Sequence, residues 1–189
     1  MRQTSKDLVT IYRRPFASTA AYRWRVWSVL TRHFFSRWIP AQATVLDLGC
    51  GYGEFINQIL AGKKIAMDLN TDVSNYLNKD VELLRQDCSA EWPLPSDSLD
   101  VVFTSNFFEH LPSKAHLLRT LRQIVRCLKP GGMLIAMGPN IKYLPALSPM
   151  DGPPLSGPAG ALAVVWPAIF DCGAEARRVM LPFKSASCV

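Results

Sequence analysis

Apolar and polar residues alternate along this chain in two rhythms, one helical and one of strand length. Residues 22–38 (YRWRVWSVLTRHFFSRW) read as an amphipathic helix. Trp24, Val26, Trp27, Leu30, Phe34, Phe35 and Trp38 recur near the 3.6-residue period, with Arg23, Arg25, Arg32 and Arg37 between them, and Pro40 stops the run. Residues 43–48 form an apolar run of strand length. A glycine-rich turn follows, then a short helix through Phe55, Ile56, Ile59 and Leu60. Further strands are expected at 64–67, 81–85 and 99–104, with a short helix about 73–77 between the first two. The longest helical signal spans 113–128, where Leu117, Leu118, Leu121, Ile124, Val125 and Leu128 share one face. Lys129-Pro130-Gly131-Gly132 is read as its C-terminal stop, and 133–137 as a fifth strand. Strands alternating with helices require crossover connections. The expected fold is therefore α/β, with a mainly parallel, doubly wound sheet and helices on both faces.

Three segments differ in texture. Residues 1–42 are a basic, amphipathic helical leader, 43–144 carry the strand–helix alternation, and 145–189 are atypical. The stretch 145–160 (PALSPMDGPPLSGPAG) is dominated by proline and glycine and shows no period. Only 178–183 suggest another short strand. The tail is read as an incomplete C-terminal hairpin, either a short variant or a frame shifted near Leu144, which leaves the fifth strand an open edge through which the chain could associate.

Hydrophobic residues are 49% and charged residues 19% of the 189, a balance that argues for one globular domain rather than disorder. No apolar run approaches the roughly 20 residues of a membrane span. The five cysteines (Cys50, Cys88, Cys127, Cys172, Cys188) are odd in number and form no CxxC pair. That usage suits reduced thiols in a cytoplasmic protein and no metal site. The net charge of +6 is unevenly placed, because residues 1–42 hold eight Lys/Arg against one acid, Asp7. A solvated helix face is the simplest account; a transit segment, or a surface for an anionic acceptor or partner, are the alternatives.

The chemistry concentrates in Asp47-Leu48-Gly49-Cys50-Gly51-Tyr52-Gly53, where a strand turns toward a helix. A dinucleotide fingerprint would place a third glycine at position 54, which is Glu54, and a P-loop would need a following Gly-Lys-Ser/Thr. Asp47 at the strand end would repel a pyrophosphate but suits a ligand carrying an ammonium and a sulfonium. Asp68 lies at the end of the second strand, where an acid can accept from a ribose diol. Asp87 and Cys88 follow the third, placed for an adenine edge. Ligands of open parallel sheets bind at that edge.

The blocks VLDLGCGYGEF, KIAMDLN, RQDCSAEWPLPSDSLDVVFTSNFFEHL and LRQIVRCLKPGGMLIAMGPN, in this order, resemble class I S-adenosylmethionine-dependent methyltransferases, a Rossmann-like family, in its small-molecule branch. The resemblance implies S-adenosyl-L-methionine as cofactor. Gly49, Cys50, Gly51 and Gly53 would lie along the methionine and ribose, with Asp47 near the amino acid end. Asp68 would bind the ribose hydroxyls, Leu69 would lie against the adenine, and Asp87 with the Cys88 backbone would read the adenine edge. Asn106 would line the methionine side through its backbone.

Methyl transfer needs alignment and a dry site, and a base only where the acceptor must lose a proton. Glu109 and His110, read as opening the helix after the fourth strand, are the candidates for that role, with packing and capping as the alternative. Asn106-Phe107-Phe108 lacks the Asn/Asp-Pro-Pro-aromatic block of amino-methylating nucleic-acid enzymes, which favours a small-molecule acceptor. Tyr22, Trp24 and Trp27 are candidates for a lid over the acceptor. A non-catalytic S-adenosylmethionine-binding module with a defective acceptor site is the alternative function. A nucleotide-dependent oxidoreductase is disfavoured by Asp47 and Glu54.

Overall fold

The computed structural model describes residues 5–138 and 178–179, with side chains from residue 19 to 138. Six strands form one parallel sheet: β1 (Thr44–Leu48), β2 (Lys63–Met67), β3 (Val81–Leu84), β4 (Leu99–Ser105), β5 (Leu128–Met137) and β6 (Arg178–Val179). Their order across the sheet is β3-β2-β1-β4-β5-β6. The chain therefore winds outward from β1 in one direction and returns to build β4 on its other side. The crevice between β1 and β4 is the point where that order reverses.

The period-2 alternation of side chains sends neighbouring residues of each strand to opposite faces. On one face Val45, Ala66, Val101, Phe103 and Ile135 pack with Phe35, Phe55, Ile56 and Val73. On the other, Leu46, Leu48, Ile65, Met67, Val102 and Leu134 pack with Ile124, Cys127 and Trp92. Helix α1 (Ser5–His33) and the 3-10 turn Phe35–Arg37 thus serve the first face, and α2 (Lys114–Cys127) the second. This is the Rossmann-like, doubly wound arrangement. Phe55 and Phe103 stack with ring centroids 3.6 Å apart, and Phe35 meets both edge-on at 5.6 and 5.2 Å. Trp27 joins them edge-on at 6.0 and 5.9 Å, so it belongs to the core rather than to a lid.

Several elements differ from the sequence reading. Residues 54–60 make successive turns instead of a helix. Asn57 and Ile59 donate four residues back, to Gly53 and Phe55, but Gln58 donates three back, and the Asn57 side chain is drawn across to the Tyr76 carbonyl at 2.8 Å. The expected helix near 73–77 is a 3-10 turn at Thr71–Asn75, started by the Asn70 side chain accepting from the Asp72 N–H. Helix α2 begins after Ser113, whose hydroxyl accepts from the His116 N–H, so Glu109 and His110 do not open it. They lie in a separate 3-10 turn, Phe108–His110. Lys129-Pro130-Gly131-Gly132 is not a helix stop. The helix ends at Cys127, and the four residues bulge out of β5 between the pairs Leu99–Leu128 and Val101–Met133. A bulge tolerates the missing proline N–H, and Gly131 supplies φ 81°. Lys129 pairs with Asp100 at 2.9 Å.

The edge of β5 expected to be open is occupied in part, because β6 pairs in parallel with Met133 and Leu134. The rest of the 145–189 segment lies outside the described residues. Among the described residues no helix is long and apolar enough to cross a membrane.

At the switch point the buried Thr104 hydroxyl donates to the Leu48 carbonyl at 2.8 Å, tying the end of β4 to the end of β1. Thr104→Val keeps the shape and removes the donor. It should cost about 1–2 kcal/mol in urea denaturation, and an unchanged midpoint would show that the bond contributes nothing.

Candidate cofactor site

The turn after β1 runs with Gly49, Gly51 and Gly53 at φ 71°, 54° and 71°, a conformation that side chains strain to adopt. Two of these glycines answer to the protein's own packing. A Cβ on Gly49 would run into the Phe107 ring, and one on Gly53 would lie 2.7 Å from a Leu77 methyl. Gly51 is different, since nothing lies within 4 Å of where its Cβ would be. Its backbone borders open space at the mouth of the turn.

The acids gather around this loop. Asp47 is buried near the end of β1. Burial pushes its carboxyl well above the usual carboxylate range, the charges of Asp68 and Glu54 push the same way, and the donating Ile56 N–H pulls back. Asp68 follows β2 and accepts from the Gly51 N–H at 2.9 Å and the Asn70 N–H at 2.8 Å, one on each oxygen. A carboxylate offers about four acceptor sites, so capacity remains for a diol. Asp87 lies beyond β3 and is exposed. The Ser89 N–H donating to it at 2.7 Å holds its carboxyl below the usual range.

Cys50 and Cys88 are buried, and burial pushes both thiols up, which leaves them poor nucleophiles. The Cys88 carbonyl accepts from the Trp92 indole at 2.9 Å and its sulfur from Thr120 at 3.4 Å, so its side chain faces the α2 layer. Leu69 is 66% exposed beside Asp68, an apolar surface without burial. Asn106 follows β4 at φ 50°, its N–H donating to Met137 at 2.9 Å. Glu109 and His110 are exposed on the same end of the sheet.

The sequence reading missed three contacts. Phe107 lies over Gly49 and so bridges the loops after β4 and β1 across the switch point. Tyr52 meets Tyr76 edge-on at 4.8 Å. Arg23 of α1 pairs with Glu54 at 2.8 Å, its guanidinium 5.7 Å from the centre of the Tyr52 ring, so the leader helix is fastened to the glycine turn. The alternation of Arg23 and Trp24 with the apolar stripe was a signal of amphipathicity, but nothing local paired Arg23 with Glu54.

A buried acid reinforced by two further carboxylates, beside a glycine backbone facing open space, forms a cradle for a cation rather than a phosphate. The chemistry of these residues fits S-adenosyl-L-methionine: its ammonium and sulfonium would suit acidic surroundings, and Asp68 has acceptor capacity left for a ribose diol. The fold and the site together define an S-adenosylmethionine-binding domain of Rossmann-like type.

Residues 46–136 match the family described as Methyltransferase domain. Over 101 residues the chain is 36% identical to a protein of Mycobacterium tuberculosis described as a probable S-adenosylmethionine-dependent methyltransferase, covering 51% of this chain and 35% of that one. It is 27% identical over 122 residues to 2-methyl-6-phytyl-1,4-hydroquinone methyltransferase of Synechocystis, covering 54% and 36%. Among solved structures, a SAM-dependent methyltransferase from Archaeoglobus fulgidus superposes with TM-score 0.56 at 26% identity, covering 69% of this chain and 61% of that chain. The chain spans only about a third to just over half the length of the curated relatives it matches. Residues 46–136 thus carry a Methyltransferase domain, similar to those of enzymes described as S-adenosylmethionine-dependent methyltransferases.

An acid with a raised carboxyl binds more protons folded than unfolded, so it costs stability as pH climbs above the ordinary carboxylate range. Asp47→Asn should therefore raise the melting temperature of the ligand-free protein, by more at about pH 7.5 than at about pH 4. The same substitution should weaken S-adenosylhomocysteine binding by ~1–3 kcal/mol, through loss of the charge facing the ammonium. Thermal melts and calorimetry check the two effects, and a variant that is less stable at every pH would contradict the electrostatic account.

Proposed function

We propose that this chain transfers a methyl group from S-adenosyl-L-methionine to a small-molecule acceptor. The observation that carries the reading is the acid-lined glycine turn at the β1/β4 switch point, with Gly51 facing open space and the Asp68 carboxylate beside it. Two further features support the acceptor class. The Asn106-Phe107-Phe108 segment lacks the proline pair of nucleic-acid amino methylation, and one relative is named for a prenylated hydroquinone. A cytoplasmic setting suits the buried free thiols Cys50, Cys88 and Cys127.

When bound, S-adenosyl-L-methionine would supply an activated methyl on sulfur for in-line attack by the acceptor, with S-adenosylhomocysteine as the leaving group. The protein's part is alignment. Asp68 would hold the ribose edge, and Asp47 would face the cationic end, with Glu54 tied off by Arg23. The Gly51 backbone would admit the ligand, and the Phe107 ring packs over Gly49. Asp87 and the Cys88 backbone would read the adenine edge, with Leu69 offered to the ring. Where the acceptor must lose a proton, His110 takes it from the acceptor atom, and Glu109 lies beside it in the same turn.

Methyl-donor consumption in the presence of fractionated small-molecule extracts tests the reading. Turnover with one fraction is expected, and His110→Asn should lower kcat about 10²-fold with S-adenosylhomocysteine affinity unchanged. Tight cofactor binding without turnover in any fraction would instead leave a binding module.

A further inference from the structure

Helix α1 turns two different faces. Toward the sheet it directs Arg23 at Glu54, Trp27 at the aromatic cluster and the buried Thr31. Away from it lie Tyr22, Val26, Val29 and His33, spaced four, three and four residues apart and therefore on one side of the helix. Tyr22 is 70% and Val29 59% exposed. Arg25 and Arg32 are exposed alongside. Residues 19–42 contain four arginines and no Asp or Glu. The formal charge of residues 1–42 is +7, that of the rest of the chain −1, so the whole positive excess sits in this leader.

This composition asks for a specific surface. Arg25 and Arg32, with no acid among residues 19–42, call for a dense negative charge. The exposed Tyr22 ring favours a water–hydrocarbon boundary, and the exposed Val26 and Val29 on the same face gain from entering an apolar layer. RNA would engage the arginines and the Tyr22 ring but leave Val26 and Val29 in water. An anionic bilayer engages all of them, with phosphates for Arg25 and Arg32 and acyl chains for the valines.

We propose that the outer face of α1 docks on an anionic lipid surface. Arg23, next to Tyr22 in sequence, is paired with Glu54 of the glycine turn, so the docked helix is fastened to the cofactor loop. Resting on the methyl-transfer reading, the acceptor is then an amphiphile that partitions into the bilayer.

Flotation of the full chain with phosphatidylcholine vesicles, with and without phosphatidylglycerol, tests this, with S-adenosylhomocysteine binding measured in parallel. Binding is expected only to the anionic vesicles, and it should fall as salt rises. The double substitution Arg25→Gln, Arg32→Gln should weaken it roughly thirtyfold. Val29→Glu should weaken it too, and all variants should keep wild-type cofactor affinity as proof of folding; if Val29→Glu unfolds, the arginine pair decides. Equal binding to neutral vesicles, or no vesicle binding, would overturn the proposal. So would a single-stranded RNA that alone binds and is lost in these variants, or a dimer that the variants dissolve while vesicles are ignored. Vesicle binding without any cofactor affinity would strike the methyl-transfer reading and leave the docking surface standing.

Discussion

A buried strand that must reverse direction while keeping its backbone facing a ligand can do so only through residues tolerant of positive φ, and Gly49, Gly51 and Gly53 meet that demand. The site is built outward from this constraint. With Gly51 in the left-handed region, its N–H reaches Asp68 on the neighbouring strand end, and the acid is oriented by the loop it serves. With Gly49 lacking a side chain, Phe107 beyond β4 can pack against the turn after β1. The strand order makes this possible, since β1 has β2 on one side and β4 on the other, and each contributes its first residues past the sheet.

The electrostatics follow from the same geometry. Asp47, Glu54 and Asp68 converge on one turn, and burial makes Asp47 the most strained of them as a charge. Arg23 neutralises one of the three, Glu54, from outside. That pair also makes α1 part of the loop's environment, because a displacement of the helix would change the charge around the cofactor.

Strands were legible in the sequence to within about one residue through β4, because short apolar runs bounded by Gly, Pro and Asp leave little freedom in a buried parallel sheet. The acids at the strand ends were legible for the same reason: Asp47, Asp68 and Asp87 stand where those runs stop. What failed was local punctuation. Residues 54–60 have a helical apolar spacing, but Asn57 is drawn to Tyr76 and Asn78 and the segment stays in turns. Lys129-Pro130-Gly131-Gly132 looks like a helix stop, yet the strand pairing on both sides turns it into a bulge. Contacts such as Phe107 on Gly49 or Arg23 on Glu54 join residues far apart in sequence, and no periodicity encodes them. The leader was read as helical, but not as one helix from Ser5 to His33, because Pro15 breaks the run even though Leu8, Ile11, Tyr12 and Phe16 keep helical spacing.

The acid-lined glycine turn should accept a nucleoside with an amino-acid tail in preference to one carrying a pyrophosphate. Isothermal titration of the full chain with S-adenosylhomocysteine, then with NAD, tests it most directly. The account predicts S-adenosylhomocysteine binding at about −8 kcal/mol, weakened by about 1–3 kcal/mol in Asp68→Ala through the lost ribose bonds, and no detectable heat with NAD. NAD binding of similar strength, or an Asp68→Ala variant with unchanged S-adenosylhomocysteine affinity, would contradict it.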